Sequence, residues 1–381
     1  MTLPASADRA AQILSRPVSL NGLTVPNRIA MAPMTRQFSP GGIPGADVVS
    51  YYARRAAAGV GLIVTEGTYV GHESAGESDR VPRFHGEEQL AGWAKVAEAV
   101  HAAGGKVVPQ LWHIGMVRKA GKPPFPDAPA IGPSGIPVVP VDDGTEGAES
   151  SGKAMTRQDV DAVIGAFADA AAAAERIGFD GVELHGAHGY LIDQFLWSKT
   201  NQRTDAYGGD PVARTTFAAE LVAAVRAAVS PSFPVIFRYS QWKMGAYDAR
   251  IATTPEELEA ILTPLATAGV DAFHASTRRY WLPEFDGSDL NLAGWTKKLT
   301  GKPVITVGSV GLDGEFIRSF QGEGAAVKDI DNLLDRLERE EFDMVAVGRA
   351  LLQDPQWAAK VLEGRLGELA AYDVAALRTL S

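Results

Sequence analysis

The sequence predicts one α/β domain: a (β/α)8 barrel, the TIM-barrel architecture, with a long loop inserted after its third strand. Three observations predict it. Short β-rich runs alternate with longer alanine-rich amphipathic stretches, the pattern of strand and helix units around a parallel sheet, and eight such runs can be counted. Each run stops abruptly at glycine, proline or polar residues, as barrel strands do where their C-terminal ends open into the mouth. At 381 residues, with no internal repeat, heptad pattern or low-complexity block, the chain fits a single large barrel over residues 1–381.

The elements follow in order. Residues 27–34 form the first expected strand and lead into Ala32-Pro33-Met34-Thr35-Arg36, where the proline leaves carbonyls free and the threonine offers a hydroxyl. The second strand, 61–67, stops at Gly67, which permits close backbone approach. A helix over 88–103 leads to the third, 106–112, carrying Gln110 and Trp112. Residues 115–155 then form a glycine-rich insertion with seven prolines. A loop of that length within a barrel is expected to act as a partly structured cover over the mouth.

Thr156, followed three residues later by Asp159, makes a capping-box-like start to a helix over 157–177. The fourth strand, 181–187, ends in the most unusual residues of the chain. Helices over 211–229 and 254–268 flank the fifth, 234–240, which ends with Arg238. That cation has no acidic partner nearby in sequence, so an anion is expected to meet it. The sixth strand, 271–277, precedes Arg278, Arg279, Tyr280 and Trp281. The seventh and eighth, 303–309 and 343–349, end in Val307-Gly308-Ser309 and Val347-Gly348-Arg349. Glycines exposing backbone N–H groups after the last two strands, beside an arginine, describe the phosphate site that recurs in barrels.

Composition removes whole classes of function. A content of 46% hydrophobic and 22% charged residues describes a globular chain with a sizeable core. The formal charge of -10 argues against a nucleic-acid surface or an anionic membrane surface, so any anionic cofactor must be gripped locally. The absence of cysteine excludes disulfides, iron–sulfur clusters, thiolate zinc sites and cysteine nucleophiles. No stretch reaches the roughly 18 apolar residues of a membrane span, and residues 1–20 lack a signal-peptide core, so a cytoplasmic protein is expected. No Gly-x-Gly-x-x-Gly follows a strand, so a nicotinamide cofactor would have to use the barrel mouth.

The candidate chemistry sits in His185-Gly186-Ala187-His188-Gly189-Tyr190-Leu191. If the chain begins to coil here, residues three apart share a face and both imidazoles point one way. Two such donors can polarise one oxygen atom, and Tyr190 beside them can protonate a neighbouring carbon. The alternative gives His185 and His188 to a metal, with Glu183 or Asp193 as third ligand, in a barrel hydrolase or lyase. A ligand carrier without turnover is a further alternative.

The run from His185 through Gln194-Phe195-Leu196 to Asn201-Gln202-Arg203-Thr204-Asp205-Ala206-Tyr207-Gly208-Gly209 closely resembles the Old Yellow Enzyme family of FMN-dependent ene-reductases. The resemblance spans roughly residues 15–365. It implies an FMN site of the Thr type, with Thr35 in place of the cysteine found in another branch. It implies cofactor contacts from Ala32, Pro33, Met34, Thr35, Gly67, Gln110, His185, Arg238, Gly308, Ser309, Gly348 and Arg349. In it Gln110 meets the pyrimidine edge and Arg238 stabilises the reduced form. Ser309 stands where the family often has a second glycine, so contacts there can differ in detail.

The same resemblance implies substrate contacts from His185, His188 and Trp112. After the sixth strand the stretch Ser276 to Trp281 departs from the family pattern, and its Tyr280 and Trp281, with Trp242, are candidate pocket walls. Arg278 and Arg279 either meet nicotinamide phosphates or are solvated. The implied reaction is ping-pong: NAD(P)H reduces FMN, and an α,β-unsaturated carbonyl or nitroalkene then accepts hydride at its β-carbon. His185 and His188 would hold the substrate oxygen and Tyr190 would supply the proton. Expected partners are small-molecule enones or nitroalkenes, with no nucleic acid and no membrane, in a monomer or homodimer.

Overall fold

A computed structural model gives the structure of the protein and describes residues 4–138, 152–316, 318 and 321–381. Eight parallel strands close on themselves in chain order. They are β1 (Ile29–Met31), β2 (Leu62–Tyr69), β3 (Lys106–Trp112), β4 (Val182–His188), β5 (Val235–Lys243), β6 (Ala272–Ser276), β7 (Val304–Val307) and β8 (Met344–Val347). All eight expected strands are present; β1 is shorter than its apolar run because residues 32–36 already leave the sheet to line the mouth.

Alternation along the strands separates two cores. Ala30, Leu62, Val64, Val108, Ile236, Ala272, Ile305, Met344 and Ala346 fill the barrel interior. A hairpin of Val18–Leu20 on Leu23–Val25 adds Leu20 and Val25 to the same cluster, plugging the barrel at the end opposite the mouth. The alternate residues, such as Ile29, Ile63, Val107 and Phe237, face outward to the helices. These include α1 (Ala46–Ala57), α2 (Glu87–Ala102), α3 (Arg157–Arg176), α4 (Pro211–Ala228), α5 (Pro255–Ala268), α6 (Leu292–Thr300) and α7 (Asp331–Glu338).

Local signals account for where the helices start. Thr156 and Asp159 form the reciprocal capping box on α3, and Asp210 and Thr254 cap α4 and α5 in front of a proline at the first helical position. Among the described residues, no helix is long and apolar enough to cross a membrane.

The insertion after β3 is described at its two ends, where Ala130–Gly132 pairs in parallel with Gly152–Ala154; residues 139–151 of the expected cover lie outside the described residues. Its first turn is pinned to the barrel, with the Met116 N–H donating to Gln194 Oε1 at 3.1 Å. The Arg118 guanidinium gathers the carbonyls of Gly76, Lys122, Phe125 and Ala128. This described part sits beside the mouth, bordering a side cavity through Val117, Lys119 and Lys122.

Candidate active site

The strand carrying the histidines does not coil between them, as the three-residue spacing had suggested. Instead β4 stays in the sheet to His188, with its register against β5 shifted between Gly186 and His188. His188 takes a φ of 65°, in the left-handed region that non-glycine residues seldom occupy, and Gly189 follows at 86°. The Ser240 hydroxyl holds the turn by accepting the His188 N–H at 2.9 Å. The result is the convergence that the spacing predicted by another route. Ring centroids of His185 lie 5.2 Å from His188 and 4.9 Å from Tyr190.

A buried ion pair supports that turn from behind. Asp193 accepts the Gly189 N–H at 2.7 Å and the Lys243 ammonium at 2.8 Å, with both side chains fully enclosed. Lys243 also donates to the carbonyls of Ser240 and Gln241, so its charge is fully used. Burial pushes the Asp193 carboxyl up to about 6 against the pull of Lys243.

Burial, reinforced by the Arg238 charge, holds His185 and His188 well below the ordinary histidine range, so both rings are neutral. Tyr190 is pushed up to about 12 by burial, against the pull of Arg238, and remains a protonated donor. Trp112 packs edge-on against Tyr190 at 4.8 Å and lies 6.0 Å from His185. Trp242 stacks on His188 on the other side.

These groups line a cavity of about 500 Å³, within the roughly 300–1,000 Å³ typical of small-ligand sites. Its floor and walls come from the ends of different strands. Ala32, Pro33, Met34 and Thr35 follow β1, while Gln110 and Trp112 end β3 and Arg238 lies on β5. Gly308 and Ser309 follow β7, and Gly348 and Arg349 follow β8. At that last end the Ser309 hydroxyl accepts from Arg349 at 3.0 Å, and Gly314 O accepts from both. Ser309 itself has a φ of 50°, in the left-handed region that a glycine would occupy at less cost.

Three expected contacts fall elsewhere. A Cβ on Gly67 would lie 2.6 Å from the Trp112 ring, so this glycine makes room for Trp112 and is not among the cavity-lining residues. Tyr280 and Trp281 are also outside the cavity. The Tyr280 N–H bonds Gly308 O at 3.2 Å, which turns the following residues outward toward α7. There Arg336 donates to the Trp281 carbonyl, and Lys328 sits 3.9 Å over the Trp281 ring. The β6 end supplies Ser276, Thr277 and Arg278 instead. Arg278 lies 3.8 Å from Glu315 and over the Tyr247 ring, and Arg279 pairs with the same carboxylate.

The metal alternative finds no third ligand. Glu183 spends both oxygens on Gln110 and His274, Asp193 spends its own on Gly189 and Lys243, and no group of three metal-ligating side chains assembles among the described residues. Several groups that matter were not singled out from sequence: Ser276, His274, Lys243 and the tail residues Tyr372 and Leu377, which also border the cavity. Polar residues inside otherwise apolar strands were the available signal for the first three. The tail residues carry none. Tyr372 is held by backbone bonds with Ala325, and Leu377 by Arg36, whose guanidinium bonds the carbonyls of Ala376, Leu377 and Thr379 while its backbone N–H donates to the buried Glu66 at 2.8 Å.

The cavity fits a flavin mononucleotide on grounds internal to it. Among the described residues, the Nδ1 of His185, the Nε of Arg238 and the Trp112 indole N–H are buried and without a hydrogen-bond partner, although buried polar groups are normally satisfied. Gln110 offers an amide edge, and Arg349 with the turns at Gly308 and Gly348 offers an anion site. A (β/α)8 barrel with this mouth offers a flavin site. Residues 14–368 match the NADH:flavin oxidoreductase / NADH oxidase family, and the chain belongs to that family, the one whose histidine motif it resembles. FMN is the cofactor of this family and NAD(P)H its reductant.

Among its relatives are the NADH oxidase of Thermoanaerobacter brockii, 34% identical over 92% of this chain and 50% of that protein, and 12-oxophytodienoate reductase 2 of Arabidopsis thaliana, 36% identical over 60% of each. The flavin oxidoreductase hxnT of Emericella nidulans is 31% identical over 94% of this chain and 92% of its own length. The chain thus spans about half to three fifths of the first two and nearly all of the third. Morphinone reductase in complex with tetrahydroNAD superposes with a TM-score of 0.76 at 29% identity, over 94% of this chain and 92% of that one.

Proposed function

We propose that the protein is an ene-reductase that uses NAD(P)H and FMN to reduce the carbon–carbon double bond of α,β-unsaturated carbonyls or nitroalkenes. The observation that carries this reading is the convergence of two neutral histidines and a protonated tyrosine at one cavity. The relatives named for reducing unsaturated compounds support it, among them the NADH:acrylate oxidoreductase of Vibrio harveyi, 32% identical over 92% of this chain and 33% of that protein.

When bound, FMN supplies the hydride-transfer chemistry, accepting from NAD(P)H and giving to the substrate β-carbon. The chain's residues do the rest. Ala32 to Thr35, Gln110 and Arg238 would hold the ring, and Gly308, Ser309, Gly348 and Arg349 the phosphate. His185 and His188 donate to the substrate oxygen and stabilise the charge that develops there. Tyr190 delivers a proton to the α-carbon. It also borders a second cavity of about 350 Å³ lined by Glu77, Ser78 and Lys119, a route by which the phenol regains its proton. One cavity serving both reductant and acceptor makes the cycle ping-pong.

An absorption spectrum tests the reading. The purified protein is expected to be yellow, to release FMN on denaturation and to oxidise NAD(P)H in the presence of 2-cyclohexenone. A colourless preparation that cannot be reconstituted with FMN would overturn it.

A further inference from the structure

Behind the cavity lies a polar knot that the histidine pair and the phosphate end do not use. Glu183 on β4 accepts a hydrogen bond from Gln110 Nε2 on β3 at 2.8 Å with one oxygen, and meets His274 Nδ1 on β6 at 2.7 Å with the other. The carboxylate and the imidazole are wholly enclosed. A carboxylate only accepts, so the Gln110 amide must turn its nitrogen to Glu183; its oxygen and second N–H are left for the cavity. Arg238 stands next to His274 in the barrel ladder, yet among the described residues its guanidinium makes one hydrogen bond, to Ser276 Oγ at 3.2 Å, and no ion pair within 4 Å.

Two opposite charges are therefore buried side by side without touching. Burial favours the neutral form of Glu183, but His274, Arg238 and Gln110 together outweigh it and hold the carboxyl below its ordinary value. His274 is held low by burial and stays neutral, donating through Nδ1. The field that Arg238 projects into the cavity is thus partly cancelled by a carboxylate that cannot reach it. In a low-dielectric interior such a charge acts at several ångströms with little screening.

We propose that Glu183 is a positioning residue that sets the redox balance of the bound FMN: it locks the Gln110 amide and offsets Arg238, making the cofactor harder to reduce than Arg238 alone would. This rests on the FMN reading above. Reduction adds negative charge to the ring that Arg238 attracts and Glu183 repels, so removing the carboxylate's charge favours the reduced form.

The test is a dye-coupled reductive titration of FMN-loaded parent, Glu183→Gln and Glu183→Asp, with FMN affinity measured by fluorescence. Glu183→Gln is expected to shift the reduction equilibrium at least tenfold toward reduced FMN, about 30 mV for a two-electron couple. Glu183→Asp keeps the charge but is one methylene too short to hold Gln110. Its potential should stay with the parent while FMN binds several-fold more weakly. A Glu183→Gln potential equal to or below the parent's overturns the proposal. If that variant does not fold, the aspartate variant decides: unchanged FMN affinity, or a potential raised by about 30 mV despite the retained charge, overturns it. A parent that takes up no FMN overturns the cofactor reading itself and the proposal with it, an outcome distinct from a loaded parent whose variants match it.

Discussion

The His188 ring lies stacked on Trp242, with centroids 4.4 Å apart and planes 28° from parallel, while its Nε2 bonds Ser276 Oγ at 2.8 Å. A ring fixed on its face and at its edge has one orientation, so it is presented to a ligand without first being ordered. Preorganised donors of this kind act at full strength when charge develops on a bound oxygen.

Replacing both His185 and His188 by alanine should therefore abolish most enone reduction, by on the order of a hundredfold or more, and should remove phenol binding while FMN is retained. Titration of the flavin absorbance with a phenol reads the second effect directly. Phenol affinity equal to the parent's would take the oxygen-binding role away from the pair.

Tyr190→Phe should separate the two half-reactions. Reduction of the flavin by NAD(P)H needs no proton from the phenol and should be nearly unchanged, whereas reoxidation by 2-cyclohexenone should slow by roughly a hundred to ten thousand times. A nitroalkene, whose product leaves as a stable nitronate and takes its proton from water, should be much less affected. Equal slowing of both acceptors in stopped-flow traces would reduce Tyr190 to a structural residue.

Arg349→Ala should weaken FMN retention by at least tenfold, the effect of losing a charged hydrogen bond of about 1.5 kcal/mol or more. The rate of chemistry on flavin already bound should change little. Fluorescence titration of the apoprotein measures the first, and single-turnover kinetics the second.

Glu66 gives a pH prediction. Its wholly buried carboxyl accepts the N–H groups of Arg36 and Gln37, and burial raises it from 4.5 to about 7 against those hydrogen bonds. A raised carboxyl binds its proton more tightly in the folded protein, so its contribution to stability is complete below pH 4.5 and is lost as the pH climbs through 7. Glu66→Gln keeps an acceptor without the charge. Its stability should match the parent near pH 4.5 and exceed it by about 2–3 kcal/mol at pH 8. Urea denaturation at the two pH values would show it, and a difference independent of pH would reject it.

Much of this architecture is legible in the sequence because its signals are local. An apolar run ending at Gly186 or Gly308, or a Thr156 followed by Asp159, specifies its own structure whatever surrounds it. What is not legible depends on partners far along the chain. Glu183 and His274 are 91 residues apart and Asp193 and Lys243 are 50 apart, and each pair becomes meaningful only once the barrel closes. Tyr280 and Trp281 illustrate the converse. Aromatic residues after a strand suggest a pocket wall, but a single backbone bond to Gly308, just past the neighbouring strand β7, aims them at α7.

The clasp of Arg36 on the carbonyls of Ala376, Leu377 and Thr379 bears on how the protein can be handled. Residues near the end of the sequence are fastened to the loop that carries Thr35, and Arg54 adds a bond to Leu380 O. Anything that loads residues 376–380 would therefore pull on a wall of the cavity, which Leu377 lines. Trimming back to residue 375 would take three carbonyl acceptors from a guanidinium that is only 5% exposed, leaving it the Tyr51 hydroxyl. For biocatalyst immobilisation, attachment through an exposed side chain on the outer face of α3, such as Asp161, leaves that fastening untouched.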